Sequence, residues 1–344
     1  MEERTPFSSS DIARREEWPT TELLAILRCP RCGSRLERPD LNRGQPFVCT
    51  NTSCKYSSEG FPAVGGQPIL IDFDASILDR ESFIGRGGRS PLVRDDEGTG
   101  LNTLLRRFAL IGRRHRRIEG MCAHFIRMVK ARAKRPRVLV VGGGAIGFGA
   151  AELYSDKDID LVGTDVYASV FTRAVADAHN LPFADGTFDG VWITGVLQCL
   201  LEPSQAVREL HRVLTPGGAV FVATGHVHPI CEGPYEFFRT TPSGLRWLLR
   251  DFKEEMAGVD AGAATSLIWT IRYFVRGLTG SNRAGTGAAL AFFWLRYFNR
   301  LMKRGPNADG SNSIYFLGRK ADSPMSHKDI VKYYWDYRGV KARS

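Results

Sequence analysis

The stretch that most constrains this chain is residues 138–153, VLVVGGGAIGFGAAEL. Four apolar residues in a row read as a strand buried on both faces. Gly142, Gly144 and Gly147 come next with the spacing GxGxxG, and a run of small residues opens a helix. A strand that turns this sharply into a helix carries backbone N–H groups at a helix N-terminus, close enough to touch a cofactor. The spacing alone accepts a dinucleotide, or a nucleoside cofactor that has no phosphate.

The chain on either side of this turn sets the fold class. Beyond residue 137 strand-like runs (RVLVVG, IDLVGTD, FDGVWITG, GAVFVATG) alternate with helical ones (GFGAAELYS, PSQAVRELHRVL). This alternation predicts an α/β fold, a mostly parallel sheet with helices on both faces. SVFTRAVADA fits neither period. Further on come a helix in TPSGLRWLLRDF, a strand near EEMAGVDAG, two apolar-aromatic segments between 265 and 304, and a closing strand SIYFLGR.

Composition narrows the setting. Residues 1–20 are charged and polar, without the apolar centre of an export signal, and read as disordered. No apolar run reaches the roughly 18 residues that span a bilayer. Seven cysteines in such a chain argue for thiols or metal ligands over disulfides, so the reading is cytoplasmic. The net charge of +10 is uneven: from Leu101 to Arg137 there are twelve bases and one acid, Glu119, leaving the remainder near neutral. Such a segment is a solvated helix face or a grip for anionic lipid headgroups or RNA phosphates.

Cys29 and Cys32 form a CxxC and Cys49 and Cys54 a wider pair, with 16 residues between the pairs. Two knuckles of this kind fit a tetrahedral structural Zn2+ site, and a module this small draws its folding energy from the metal. A redox CxxC or unrelated buried thiols are the alternatives. With CPRCG, the second pair and FPAVGGQPILI, residues 23–73 resemble zinc ribbons of the Trm112 type. That resemblance implies a module beside, or fused ahead of, a methyltransferase, with a protein partner at the ribbon.

Asp165, at the end of the second strand with Val166 beside it, suits both hydroxyls of a ribose. The stretch VADAHNLPFADGTFDGVWITGVLQCL and, after it, ELHRVLTPGGAVFVATG resemble class I S-adenosylmethionine-dependent methyltransferases of the ubiquinone/menaquinone type over residues 137 to about 225. The resemblance implies a Rossmann-like seven-stranded sheet and S-adenosyl-L-methionine as cofactor. It places Asp177 and Ala178 at the adenine, Leu181, Pro182 and Phe183 as its walls, and Thr194 near the sulfur. Pro216-Gly217-Gly218 is a turn before the fifth strand. The chain departs from the family at Val140, where an acid is usual, and at VLQCL, where the family has VLEHV. No [DN]PP[YF] motif comes after the fourth strand, where the chain reads ITGV; the resemblance therefore points to an oxygen or carbon acceptor.

The acceptor should lie over the carboxyl ends of the strands. The loop after GAVFVATG brings His226 and His228 there as candidate bases. The segments between 265 and 304 suit a helical pair packed on the domain, a lid, or a surface contact with an anionic inner membrane, alone or with 101–137.

The expected organisation is a disordered 1–20, a zinc-ribbon module 21–73, a linker 74–100, a basic helical arm 101–136, a methyltransferase domain 137–320 with a helical insertion 265–304, and a polar tail 321–344. The expected function is methyl transfer to a small-molecule or to a lipid- or glycan-linked biosynthetic substrate. The rivals are an RNA methyltransferase, a non-catalytic cofactor-binding scaffold and, last, an NAD- or flavin-dependent oxidoreductase.

Overall fold

The computed structural model describes residues 21–38, 46–64, 67–88, 116–147 and 149–338. β1 (Leu36–Glu37) and β2 (Val48–Cys49) form a small antiparallel ribbon. Nine strands form the main sheet: β3 (Ala63–Val64), β4 (Gln67–Leu70), β5 (Arg137–Val141), β6 (Asp160–Asp165), β7 (Ala174–Ala176), β8 (Phe188–Thr194), β9 (Leu214–Gly225), β10 (Phe252–Ala261) and β11 (Ser313–Lys320). Their order is β10-β11-β9-β8-β5-β6-β7-β4-β3. β4 to β9 are mutually parallel, and β3, β10 and β11 pair antiparallel to their neighbours.

Among the described residues the sheet has nine strands, not the seven expected. β5 to β11 account for seven; β4 and β3 extend the sheet past β7, with Ile69 opposite Val175 and Leu70 opposite Ala176. The physical reason is an uncovered edge. β7 is wholly buried, and the run Ile69–Leu70–Ile71 pairs with it and is itself buried; left unpaired, that edge would expose backbone donors and acceptors and apolar side chains.

The ten helices among the described residues are α1 (Thr21–Ile26), α2 (Arg80–Gly85), α3 (Arg116–Lys130), α4 (Ala151–Ser155), α5 (Pro203–Val213), α6 (Pro242–Leu248), α7 (Ala263–Thr279), α8 (Asn282–Ala291), α9 (Arg304–Asp309) and α10 (Asp329–Arg338). A 3-10 segment, Phe293–Arg300, comes after α8. The pleat of β5 divides the core between two faces. Val138 and Val140 pack with Ile118, Cys122, Phe125 and Val129 of α3 and Leu153 of α4. Leu139 and Val141 pack on the other side with Ala206, Val207 and Leu210 of α5. α3 sits close because Gly190 of β8 has no side chain: a Cβ there would lie 2.6 Å from both Phe125 and Val129.

Several stretches differ from their sequence reading. SVFTRAVADA holds the three-residue strand β7. Pro216-Gly217-Gly218 lies inside β9, at a register shift between Phe188 and Gly190 of β8. The expected linker is described as far as Gly88 and there carries α2, with Leu78 and Phe83 packed on Ile69 and Val175. The expected polar tail carries α10, whose Tyr337 is buried against Val259 and Ala308. Of the basic arm, α3 is a core helix; residues 101–115 and 1–20 lie outside the described residues.

Candidate functional site

In the sheet order, β5 stands between β6 and β8, and the chain reverses its direction of winding between β5 and β8. Ligands of such sheets bind outside the carboxyl ends of the strands at that reversal. Directly after β5 comes Gly142, whose φ of 76° favours glycine and whose Cβ would run into the side chain of Val196. Gly143 N–H donates to Thr164 O at 2.8 Å, and Gly144 N–H to Asp165 Oδ2 at 2.8 Å. Val166 N–H donates to Asp165 Oδ1 at 2.7 Å. A Cβ on Gly147 would stand 3.0 Å from Thr194 Oγ1. Gly142, Gly144, Gly147, Asp165, Val166 and Thr194 are therefore gathered at one sheet edge. Val140 points into the core.

The glycine turn is a cradle that side chains would fill. A Cβ on Gly144 would collide with the ring of Tyr167 and lie 2.7 Å from Asp165 Oδ2. Beside Gly143 lies the hydroxyl of Tyr154, buried and without a hydrogen-bond partner. A carboxylate at the strand end, bare backbone and an orphaned hydroxyl fit the ribose and amino-acid ends of S-adenosylmethionine.

Asp177 and Ala178 come directly after β7, next to β6. Asp177 is 8% exposed. Its Oδ1 accepts from His179 N–H at 3.0 Å and lies 2.6 Å from His179 Nδ1; its Oδ2 accepts from Ser76 Oγ at 2.9 Å. Burial works against the charged carboxylate, but the hydrogen bonds and charge of His179 outweigh it and hold Asp177 below its usual range. The same contact raises His179. An adenine amine would use the remaining lone pair of Oδ2 or displace Ser76. Ser76 is invisible to sequence reasoning because it lies 101 residues away from Asp177.

The cysteine ribbon is docked on this same corner. Arg28 N–H donates to Pro182 O at 2.9 Å, Ala184 N–H to Ile26 O at 2.9 Å, and Leu27 bridges Phe183. The expected adenine wall is thus clamped by the ribbon from one side. From the other, Arg212 donates to Leu181 O and Phe183 O. The sulfurs of Cys29, Cys32, Cys49 and Cys54 all lie within 4.8 Å of one another, with Cys29–Cys54 at 3.9 Å and Cys32–Cys49 at 3.4 Å. Four thiolates around zinc, with bonds of about 2.3 Å, stand about 3.8 Å apart, so the donor set fits a tetrahedral ion. Burial pushes the Cys29 thiol well above its usual range, and a bound cation would displace that proton.

The two candidate bases differ. His226 Nδ1 lies 2.9 Å from Thr240 O and Nε2 3.0 Å from Asp309 O, so both ring nitrogens face main-chain carbonyls and the ring ties two segments together. His228 Nδ1 lies 2.6 Å from Pro229 O, and its ring packs at 4.8 Å on Trp269 of α7. Burial lowers the His228 pKa, which keeps it neutral at pH 7. Cys231 Sγ lies 3.8 Å from its Nε2. Glu236 accepts from Cys231 N–H and Glu232 N–H and pairs with Arg239, bracing this loop. Gln198, where the family has an acid, holds the loop too: its carbonyl accepts from Phe237 N–H and Phe238 N–H. Trp269 escapes the sequence reading, and Gln198 is marked there only as part of the departure VLQCL, because nothing in their spacing marks a loop contact.

Residues 139–222, from β5 into β9, match the model of a methyltransferase domain family. Over these residues the chain is similar to that methyltransferase domain family. Curated relatives align over the same kind of short span. An uncharacterized chloroplastic methyltransferase of Arabidopsis thaliana is 47% identical over 62 residues, 18% of this chain and 16% of the relative. A demethylmenaquinone methyltransferase of Paenarthrobacter aurescens is 34% identical over 91 residues, 24% of this chain and 36% of the relative. The tocopherol O-methyltransferase of Arabidopsis thaliana is 32% identical over 83 residues, 24% of each. The chain therefore spans about a sixth to about a third of these relatives' lengths. Among solved structures, the [4+2]-cyclase SpnF covers 71% of this chain and 90% of its own at 18% identity and a TM-score of 0.38, too loose to carry an argument.

Proposed function

We propose that the protein transfers a methyl group from S-adenosylmethionine to an oxygen or carbon of an apolar small-molecule or lipid-linked acceptor. The observation that carries this is the gathering of the glycine turn, Asp165 and Thr194 at the sheet's reversal point, within the residues that match a methyltransferase domain. Asp165 and Val166 would hold the ribose, the backbone of 142–147 and Tyr154 the amino-acid end, and Ala178 with Leu181 and Phe183 the adenine. Bound there, the cofactor supplies an electrophilic methyl group for in-line displacement. The chain's own part is then to orient the acceptor and exclude water. His228, neutral and at the acceptor edge, is the group placed to take a proton, while His226 positions the loop. Cys29, Cys32, Cys49 and Cys54 would hold a structural zinc ion that keeps the ribbon folded against the adenine wall.

The acceptor class draws support from two of the relatives, named for methyl transfer to a demethylmenaquinone and to a tocopherol. The test is incubation with S-adenosylmethionine labelled in its methyl group, then separate extraction of lipids, polar metabolites and RNA from a cell lysate. Label in the lipid or metabolite fraction, lost with Asp165→Ala, is the expected result. Label in RNA, or in no fraction, contradicts the proposal.

A further inference from the structure

Residues 261–308 contain seven bases (Arg272, Arg276, Arg283, Arg296, Arg300, Lys303 and Arg304) and no acid. They form α7, α8 and the 3-10 segment, inserted between β10 and β11. The inner side is firmly fixed. Asn307 Oδ1 and Asn299 Oδ1 accept from Ala263 N–H and Ala264 N–H at 2.9 Å each, Ser266 Oγ donates to Gly310 O at 2.7 Å, and Arg272 is buried. Tyr273 Oη donates to Ile230 O at 2.7 Å, which joins α7 to the loop that carries His228.

The outer side is apolar and uncovered. Phe274 and Leu278, one turn apart on α7, are 65% and 72% exposed. The 3-10 segment, FWLRYFNR, buries none of its residues. Trp294, Phe298 and Leu301 recur at a spacing of three to four and are exposed, Leu301 at 78%. Arg283, Arg300, Lys303 and Arg304 are exposed among them. Aromatic side chains of the sheet and of the cysteine ribbon go inside, as Phe47, Phe61, Trp192 and Phe221 do. No helix among the described residues is long and apolar enough to cross a membrane.

We propose that the outer face of residues 263–304 docks on the surface of an anionic phospholipid bilayer. The chemistry selects this occupant. Aromatic and leucine side chains on a rigid, short-helix platform insert to headgroup depth, and a base-only segment is drawn to the negative leaflet and released by salt. A protein partner or a second copy gives no reason for excluding every acid from 48 residues. The described part of the other base-rich stretch fits the role less well. In residues 116–137 Lys130 pairs with Asp156 and Asp158, Arg137 with Asp160, Arg132 donates to Pro216 O and Arg117 to Val259 O. Docking would bring the exposed Val227, Ile230 and Phe237 of the His228 loop toward the lipid, and, resting on the methyltransferase reading, would let an apolar acceptor enter from the bilayer.

The experiment is co-sedimentation of the full chain with vesicles of phosphatidylcholine alone and of phosphatidylcholine mixed with phosphatidylglycerol. It reads docking without reference to activity, so its failure and that of the methyltransferase reading are separable. The expected result is at least about tenfold stronger partitioning onto the anionic vesicles, reversed by raising salt from about 0.1 M to about 0.5 M. The variants Arg300→Glu with Lys303→Glu, and independently Phe274→Ser with Leu278→Ser, should each weaken it about tenfold at an unchanged thermal midpoint. Variants that partition as the wild type does overturn the proposal, because residues 101–137 would then hold the chain. Self-association without vesicles that the same variants abolish also overturns it, and assigns the face to a second copy.

Discussion

The cysteine ribbon and the insertion at 263–304 both read as appendages in the sequence, and the structure treats them in opposite ways. The ribbon turns Phe47, Tyr56 and Phe61 inward, stacks Tyr56 on Phe61 at 4.0 Å, and shares one continuous core with β5 and α5. The insertion, richer still in aromatics, turns Phe274, Trp294 and Phe298 outward. Aromatic content alone therefore says nothing about burial. The ribbon has an uncovered sheet edge and an apolar loop to close on, Pro182 and Phe183, whereas the insertion has used its inner side for polar anchoring by Asn299, Asn307 and Ser266.

Measurements that break or sharpen this contrast come in order of size. Structural zinc contributes roughly 10 kcal/mol to small cysteine modules, so Cys29→Ser should unfold residues 21–64 and weaken cofactor binding at the Leu181–Phe183 wall. Hydrogen exchange by mass spectrometry would show the ribbon amides losing protection while β5 to β9 keep theirs. Next, Phe61→Ala should cost about 3–5 kcal/mol in a denaturant melt, as a fully buried phenylalanine does. The pH response of Asp177 and His179 is smaller. His179 is raised above its ordinary 6.5, so its share of stability is full below about 6.5 and is lost as pH rises through the folded value. Asp177 is depressed below its ordinary 3.8, so its share is present above about 3.8 and is lost as pH falls through the folded value. From about pH 5 to about pH 8 the His179 share should be lost while His228, lowered by burial, contributes in the opposite direction. The difference between wild type and His179→Gln in melts therefore reads the His179 share: the variant should lose less stability over that range than the wild type does, or gain more. Smallest of all, Trp294→Ala should change stability by less than about 0.5 kcal/mol. A loss comparable to that of Phe61→Ala would mean that the insertion has a core of its own.

Much of the architecture is legible because it is periodic. The strands from β5 onward other than β7, α5 and the tight turn at Gly142 all rest on local patterns, and so does Asp165 at its strand end; Thr194 rests on the family resemblance. The features that escaped depend on contacts between distant residues. QPILI carries no mark that its strand will pair with Val175 and Ala176, about a hundred residues later, and SVFTRAVADA gives only three residues to that pairing. Ser76 on Asp177 is of the same kind. His226 and His228 look alike in the sequence; only the carbonyls of Thr240 and Asp309 around one and Trp269 against the other separate a tether from a candidate base.

The central claim is that the glycine turn and Asp165 bind S-adenosylmethionine, and titration calorimetry tests it most directly. Wild-type protein should bind S-adenosylmethionine and S-adenosylhomocysteine but not NADH. Asp165→Ala should weaken the former two by roughly 10- to 100-fold, the worth of hydrogen bonds to a charged group. Tight binding of NADH with none of S-adenosylmethionine, or an Asp165→Ala protein with undiminished affinity, would contradict the account.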